Sequence, residues 1–146
     1  MRINEALLDT AAMIAAIRSD SGASRRLLRA ALQGQGVTLL LSVPLLIEYE
    51  AVMTRAEHLS AAGLTVGEVG SLLDAVAGVA ERVRLAFLWR PLLPDIDDDM
   101  VLETAVNGRA DAIVTFNRRD FALATEQFGI AVLASAEALS RVGKEQ

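Results

Sequence analysis

The sequence predicts an α/β fold in which helices cover both faces of a central, mostly parallel sheet of four to five strands. Short, almost continuous apolar runs alternate with longer segments of helical periodicity, as expected for strands that are buried on both faces. Hydrophobic residues make up 53% of the chain but aromatic residues only 4%, which is typical of aliphatic cores beneath helices. The 146 residues fit one domain, expected over residues 1–140, followed by a flexible tail at 141–146.

The first half of the chain contains two predicted strands and the helices that follow them. An apolar run at residues 6–8 ends at Asp9 and predicts the first strand. Helical spacing covers residues 23–32, and the continuous run VTLLLS at 37–42 predicts the second strand. Pro44 stands where the first turn of a helix tolerates proline, and it opens the helical segment PLLIEYEAVMTR.

The second half continues this alternation. Thr65 and Glu68 have the spacing of a capping box, so we expect a helix from there to about residue 80. An acidic cluster at 97–99 opens a further predicted helix at 101–107. The remaining strands are predicted within RVRLAFLW (82–89), DAIVTFN (111–117) and FGIAVL (128–133).

Composition excludes several classes of function. The chain has no cysteine, which rules out disulfides, zinc–thiolate sites and thiol nucleophiles. Its net charge of -5 argues against a protein that coats nucleic acids passively, because such proteins rely on excess Lys and Arg. The apolar N-terminal stretch is interrupted by Asp9 and is shorter than the ~18 residues of a membrane span. We therefore expect a cytoplasmic protein that does not contact a membrane.

Polar side chains follow several of the predicted strands. In a parallel sheet the carboxyl ends of the strands lie along one edge, and ligands bind outside that edge. Asp9 follows the first strand, the loop before Asp98 leads from the third, and Asn117 follows the fourth. Such oxygen ligands are those that Mg²⁺ and Mn²⁺ prefer, and a site of this kind can activate water and neutralise a phosphodiester. The sequence therefore predicts a metal site suited to phosphodiester cleavage.

Each acid also has a plainer interpretation. Asp9 with Thr10 is a suitable helix cap, and the acids at 97–99 form a suitable solvated first turn. On the helix after the second strand, Glu48 and Glu50 both border the apolar stripe, and helical geometry does not choose between them. A half-buried glutamate at either position requires a metal or a paired arginine.

The order and spacing of these segments resemble the PIN domain family, in particular the VapC-like toxins of bacterial toxin–antitoxin pairs. The resemblance covers nearly the whole chain and is carried by four segments: LLDTAAMIAAI, LLLSVPLLIEYEAVMTR, DIDDDMVLETAVNGRADAIVTFNRRDF and FGIAVL. It implies a three-layer α/β/α sandwich, Mg²⁺ or Mn²⁺ as cofactor, and cleavage of RNA. It also implies a homodimer and inhibition by a cognate antitoxin.

The resemblance assigns roles to individual residues. The spacing of SVPLLIEY selects Glu48, and counting back from Ala105 selects Asp98. The implied metal ligands are the acids at the three matching positions: Asp9, Glu48 and Asp98. The polar groups that would complete the site through water follow the fourth strand: Asn117 or Asp120. The implied supporting residues lie beside these positions: Thr10, Thr115, Asp97 and Asp99.

Two positions depart from the family pattern and keep other functions open. Ala11 stands where the family usually has Asn, and Asn117 is an amide where a carboxylate would strengthen a second metal site. These departures favour the alternative of a PIN-like module that binds RNA or an antitoxin without cutting. A phosphotransferase that uses Asp9 as nucleophile is disfavoured, because no second Asp follows two residues later and no phosphate-binding glycine loop is present.

Basic side chains and the single histidine are the predicted RNA contacts. The pair Arg118 and Arg119 directly follows the fourth predicted strand. His58 lies in a polar segment, 58–64, that we interpret as a mobile loop near the entrance of the site. Without a serine partner in reach of His58, nucleophilic serine catalysis is poorly supported.

Overall fold

The computed structural model describes residues 2–19, 22–86 and 96–143, the last range without the side chains of Ile96 and Asp97. Its strands are β1 (Glu5–Leu8), β2 (Thr38–Leu41), β3 (Glu81–Arg82), β4 (Ala112–Val114) and β5 (Ala131–Leu133). Its α-helices are α1 (Thr10–Arg18), α2 (Ala23–Leu32), α3 (Val43–Met53), α4 (Ala56–Ala62), α5 (Val66–Val79), α6 (Ile96–Gly108), α7 (Ala122–Phe128) and α8 (Ser135–Ser140). A 3₁₀ turn, Arg118–Phe121, follows β4. Among the described residues no single helix is long and apolar enough to cross a membrane, and only α4 and α5 together, across an 85° bend, reach that length and composition.

Within the described residues, five strands form one parallel sheet in the order β3-β2-β1-β4-β5. The chain first builds outward from β1 to β2 and β3, and then crosses to the other side of β1 for β4 and β5. In the central pair, Leu7 lies opposite Ile113 and Leu8 lies opposite Val114. The sheet therefore has a topological switch point between β1 and β4, where parallel α/β sheets place their ligand sites.

Helices cover both faces of this sheet. Ala6, Leu7 and Leu8 point alternately to opposite faces, yet each is at most 1% exposed. The three residues of β4 are fully buried in the same way. α6 packs against β1 and β2, whereas α1 packs against α2 and α3. The predicted three-layer sandwich with a parallel sheet is confirmed.

Several local predictions are confirmed residue by residue. α2 covers the predicted range, and the capping box of α5 is formed: the Glu68 N–H donates to Thr65 Oγ1, and the Thr65 N–H donates to Glu68 Oε1, each at 3.1 Å. Pro44 lies in the first turn of α3. The N-cap of that helix, Ser42, accepts the Leu45 N–H at 3.3 Å.

The third strand is shorter and begins earlier than predicted. We expected it within residues 82–89, of which 87–89 lie outside the described residues, but the observed strand is Glu81–Arg82. β2 ends at Leu41, whose carbonyl accepts a last hydrogen bond from the Val83 N–H at 2.8 Å before the chain turns into α3. β2 therefore offers β3 no further partner residues.

The segment 58–64 is largely helical, so its interpretation as a loop is wrong. It belongs mostly to α4, whose side chains Leu59 and Ala62 pack against the core. Gly63 has a φ of 68° and ends the helix, and the Leu64 N–H donates to the Leu59 carbonyl at 3.1 Å. The polar sequence favoured a loop, but two apolar contacts and a left-handed glycine produce a short capped helix.

The acidic helix begins earlier than expected. α6 begins at Ile96 instead of 101, so the acids at 97–99 form its first turn.

Backbone hydrogen bonds join the C-terminal segment to Ile3. The Ile3 N–H donates to the Arg141 carbonyl at 2.7 Å, and the Ile3 carbonyl accepts the Gly143 N–H at 3.2 Å. The rest of the expected tail, residues 144–146, lies outside the described residues.

Candidate active site

The carboxyl ends of β1 and β4 bring Asp9 and Thr115 together. Asp9 follows β1 and Thr115 follows β4, and the register of the two strands makes them neighbours. The Asp9 N–H donates to the Val114 carbonyl at 3.0 Å, which extends the ladder by one step. There the Thr115 hydroxyl donates to Asp9 Oδ2 at 2.5 Å. The site thus begins with a carboxylate fixed at the switch point of the sheet.

Asp9 is a buried carboxylate with a hydrogen bond to each oxygen. It is the N-cap of α1, and its Oδ1 accepts the Ala12 N–H at 2.8 Å. Only 6% of the residue is exposed. Burial raises the pKa of Asp9, and the hydrogen bonds from Thr115 and Ala12 oppose this effect. Asp9 therefore caps a helix and also carries a charge that a nearby cation would stabilise.

Tyr49 ties α3, the helix that carries Glu48, to the end of β1. Sequence reasoning did not select Tyr49. The Tyr49 hydroxyl donates to the carbonyl of Leu8, the residue before Asp9, and the ring is buried. Burial, and to a smaller extent the charge of Asp9, raises the pKa of Tyr49, so the side chain remains a neutral donor. Glu48 is half-buried, whereas Glu50 is exposed. Burial therefore favours Glu48 where helical geometry alone left both open.

α6 carries more buried acids than the sequence reasoning selected. Asp98 is half-buried, whereas Asp99 is 2% and Glu103 is 1% exposed. Asp99 and Glu103 are four residues apart and share one side of the helix. Glu103 was missed, and the signal that finds it is the i, i+4 spacing of two acids in a largely apolar helix. The side chain of Asp97 lies outside the described residues.

A buried pair of hydroxyl groups links the helices that carry these acids. Ser42 Oγ, at the start of α3, lies 2.7 Å from Thr104 Oγ1 in α6, and both residues are at most 3% exposed. The Thr104 hydroxyl donates to the Met100 carbonyl at 2.9 Å, so Ser42 is the donor within the pair. The pair sets the position of α3 relative to α6, and neither residue was selected from the sequence.

The segment after β4 changes abruptly from buried to exposed. Thr115 is fully buried, but residues 116–120 are all exposed. The Asn117 N–H donates to the Thr115 hydroxyl at 2.9 Å, and the Asp120 N–H donates to the Asn117 carbonyl at 3.1 Å. Asn117 and Asp120 therefore lie in solvent at the rim, on a backbone that is tied to the Asp9 contact.

The predicted RNA contacts occupy two different places. Arg118 and Arg119 lie in the exposed turn after β4, where Arg118 pairs at 3.5 Å with a glutamate of α8. His58 lies on α4, and its Nδ1 is 3.4 Å from Nη1 of Arg18, at the far end of α1. The nine residues of that helix, about 13 Å at 1.5 Å per residue, separate this end from Asp9. The structure thus places the arginines, but not His58, at the end of the sheet that holds Asp9.

A groove of about 650 Å³ lies elsewhere on the molecule. It is lined by the second half of α1, by α2 and by the start of α5, with Ile17, Leu28 and Leu72 among its apolar residues. Asp9 lies at the opposite end of α1. The groove is therefore separate from the strand ends that hold Asp9 and Thr115.

The donor chemistry at the rim suits a divalent cation. Asp9, Glu48 and Asp98 offer carboxylate oxygens, the ligands that Mg²⁺ and Mn²⁺ prefer. Burial raises the pKa of Asp9 despite the hydrogen bonds from Thr115 and Ala12, and a bound cation would offset this cost of burying the charge. Within the described residues, no three His, Asp or Glu side chains are grouped closely enough to hold an ion. The carboxylate oxygens and the buried charge of Asp9 would suit a divalent cation. The metal site itself stays a prediction.

Comparison with known proteins identifies the family. The family model of the PIN domain matches residues 5–119. A chain in the crystal structure of VapBC2 from Rickettsia felis, bound to a DNA fragment from its promoter, has a similar fold, with a TM-score of 0.60 and 15% sequence identity. The alignment covers 89% of this chain and 98% of that chain. No curated protein matches the sequence. Because the family model spans most of the chain, from β1 to the turn after β4, the chain belongs to the PIN domain family.

Proposed function

We propose that this PIN domain protein is a divalent-metal-dependent endoribonuclease and the toxin of a toxin–antitoxin pair. The observation that supports this most is Asp9, a carboxylate buried at the switch point of the sheet, fixed by Thr115 and with a pKa raised by burial. A helix cap alone needs only an uncharged Ser, Thr or Asn. A buried carboxylate with a perturbed pKa therefore indicates a role beyond capping.

In this proposal the chain's own residues prepare the site for Mg²⁺ or Mn²⁺. The bound cation would neutralise the phosphodiester and supply a nucleophilic water at neutral pH. Thr115 and the Ala12 N–H hold both oxygens of Asp9, so this ligand is oriented before the cation binds. The proposed ligands are the acids of three elements, completed through water by a polar group after β4: Asp9, Glu48, Asp98, and Asn117 or Asp120.

Cleavage of a fluorescent RNA of mixed sequence in Mg²⁺, Mn²⁺ or EDTA tests this proposal. We expect metal-dependent cleavage that Asp9→Asn reduces by more than the roughly 10- to 100-fold typical of residues that only support a ligand. Asp98→Asn and Asp99→Asn, compared side by side, identify which neighbouring acid is the ligand. Asp74→Asn removes an exposed acid of α5 and is the matched control. Equal cleavage in EDTA, or full activity of Asp9→Asn, would contradict the proposal.

A second function, binding of RNA or an antitoxin without cleavage, is favoured by the composition of the rim. Asn117 is an exposed amide where a carboxylate would strengthen metal binding, and Ala11 is exposed and offers no amide beside Asp9. For this alternative we expect RNA binding that is equal in EDTA and Mn²⁺, without cleavage in either. Cleavage gained by the double substitution Ala11→Asn and Asn117→Asp would show that these departures are what silences the site.

We further propose an antitoxin partner and a homodimer. Support for the antitoxin comes from the resemblance to VapC-like toxins and from VapBC2 as a structural neighbour. Co-purification with the product of an adjacent gene, followed by the cleavage assay, tests the antitoxin proposal.

Support for the homodimer comes from α3 and α5, which contact each other and leave apolar side chains exposed: Val43 at 70%, Ile47 at 63% and Val66 at 60%.

A further inference from the structure

An aromatic ring is exposed beside the Asp9 contact. Phe116 is 57% exposed, and it is the one aromatic among the large exposed hydrophobic side chains in the described part of the chain. The others are aliphatic and belong to α3 and α5. Aromatic side chains gain much from burial, and both Tyr49 and Phe121 are buried in this fold. Phe116 therefore presents an aromatic face to solvent beside the candidate site.

The backbone around Phe116 is fixed on both sides. The Thr115 N–H donates to the Leu133 carbonyl at 2.9 Å, and the Thr115 hydroxyl donates to Asp9. The Asn117 N–H donates back to the Thr115 hydroxyl at 2.9 Å. One Cα step of ~3.8 Å separates Phe116 from the residue that holds Asp9. The ring therefore extends into solvent from a fixed point at the rim of the candidate site.

Charged and polar residues follow Phe116 along the chain. Arg118 and Arg119 lie two and three residues further on, at the start of the 3₁₀ turn, and both are exposed. Within the described residues, Arg119 has no ion pair. Proteins that bind single-stranded nucleic acids combine an aromatic face for the bases with cations for the phosphates. A protein partner would instead favour a contiguous apolar patch, whereas Phe116 is the only apolar side chain in the exposed segment 116–120.

We propose that Phe116 is the stacking platform for one unpaired nucleobase and that Arg119 binds the adjacent phosphate. This inference rests on the proposed ribonuclease function and assigns two residues that would hold an unpaired segment of its RNA beside Asp9. Bases in a duplex are already stacked on their neighbours and cannot use the ring. The platform also requires no metal, so it can be examined separately from cleavage.

Binding of a short fluorescent single-stranded RNA in EDTA, followed by anisotropy, tests the platform. We expect Phe116→Ala to weaken binding about 5- to 150-fold, the range for loss of one stacked base. Phe116→Trp should retain binding, whereas Phe116→Leu, which keeps apolar surface but lacks a ring, should behave like Phe116→Ala. Gln35→Ala removes an exposed uncharged side chain before β2, at the opposite edge of the sheet, and should bind like wild type. Arg119→Gln should weaken binding and reduce its salt dependence.

Duplex RNA and an optical signal provide two further readouts. Affinity for a duplex of the same sequence should be equal in wild type and Phe116→Ala. The added tryptophan emission of Phe116→Trp, relative to wild type, should be quenched by single-stranded RNA and unchanged by the duplex. Because the ring is exposed, these variants should unfold at the temperature of the wild type.

Three results would overturn the platform. Wild type does not bind single-stranded RNA, wild type and Phe116→Ala bind it with equal affinity, or Phe116→Leu and Phe116→Trp bind it with equal affinity. Unchanged RNA affinity together with an altered oligomeric state of Phe116→Ala would assign the ring to a protein contact. Failure of the platform and failure of the proposed function are distinguishable. A protein that binds single strands through Phe116 without cutting supports the platform alone, and one that cuts equally well after Phe116→Ala supports the nuclease alone.

Discussion

Asp9 has a pKa that burial raises above its ordinary value near 3.8, and this direction determines how its charge affects stability. The folded protein binds this proton more tightly than the unfolded chain does. Stability from the group is therefore complete below about pH 4 and is lost as the pH rises through the folded pKa. We therefore compare the unfolding free energies of wild type and Asp9→Asn in EDTA. Between about pH 4 and pH 7, the value for wild type should fall relative to that for Asp9→Asn, by about 1.4 kcal/mol for each unit by which the pKa is raised. Urea unfolding of both proteins at both pH values measures this difference.

The control for this experiment is Asp74→Asn, which removes an exposed carboxylate. Its unfolding free energy relative to wild type should be the same at both pH values. A difference between wild type and Asp9→Asn that also stays constant with pH would contradict the raised pKa, and with it the interpretation of Asp9 as an incompletely compensated charge.

Thr115 serves two partners with one hydroxyl, since it donates to Asp9 and accepts the Asn117 N–H. Thr115→Val keeps the shape but leaves a buried carboxylate short of one donor. We expect a loss of about 1–3 kcal/mol of unfolding free energy at neutral pH and a smaller loss in acid, where Asp9 approaches neutrality. Thr125→Val removes a hydroxyl bond to the Ile130 carbonyl, and its effect should not vary with pH. The same pH dependence in both variants would contradict the link between Thr115 and the charge.

The end of α6 packs tightly against the sheet at Gly108. A Cβ at this position would lie 2.7 Å from Val83 Cγ2 and 2.8 Å from Leu40 Cδ1. Gly108→Ala should therefore cost about 1–3 kcal/mol and displace the helix that carries the acids. Gly70 in α5 has nothing within 4 Å of a Cβ, so Gly70→Ala should stabilise the protein by about 0.4–1 kcal/mol. Thermal unfolding measures both changes, and effects of the same sign would contradict this packing.

Elements with local signals were predicted from the sequence, whereas those set by distant partners were not. The capping box of Thr65 and Glu68 lies within four residues, so its helix could be predicted. The length of β3 depends instead on where β2 ends, about forty residues earlier in the chain. α4 depends on contacts of Leu59 with the core and on the left-handed Gly63 that ends it. Hydrophobic periodicity contains neither kind of information.

The same limit applies to the candidate site. The neighbouring positions of Asp9 and Thr115 follow from strand order and the shared edge of a parallel sheet, so they could be anticipated. Tyr49 bonds to a carbonyl 41 residues away, so it could not be selected from the sequence without the fold. Glu103 had a signal in its i, i+4 spacing from Asp99, but only the fold shows that both acids are buried. Glu48 was selected over Glu50 by resemblance. In the structure Glu48 is half-buried and Glu50 is exposed, and the role of Glu48 as a ligand stays a prediction.

The exposed apolar side chains of α3 and α5 give the protein a candidate dimer face. We expect Ile47→Glu to weaken a homodimer at least about tenfold, because it places a charge where 63% of an isoleucine is exposed. Glu50→Gln, at an exposed position of the same helix, should leave the dimer intact. Size-exclusion chromatography with light scattering measures the mass. A wild-type protein that is monomeric at micromolar concentration would contradict the dimer.

Mn²⁺ binding to the metal-free protein is the measurement on which the assignment of Asp9 depends most, because it needs neither the RNA target nor the antitoxin. Calorimetric titration of wild type at neutral pH should show binding, and Asp9→Asn should weaken it by more than roughly tenfold. Asp74→Asn should titrate like wild type. If Asp9→Asn binds Mn²⁺ as well as wild type does, the carboxylate at the switch point is not a metal ligand, and the proposed nuclease site is wrong.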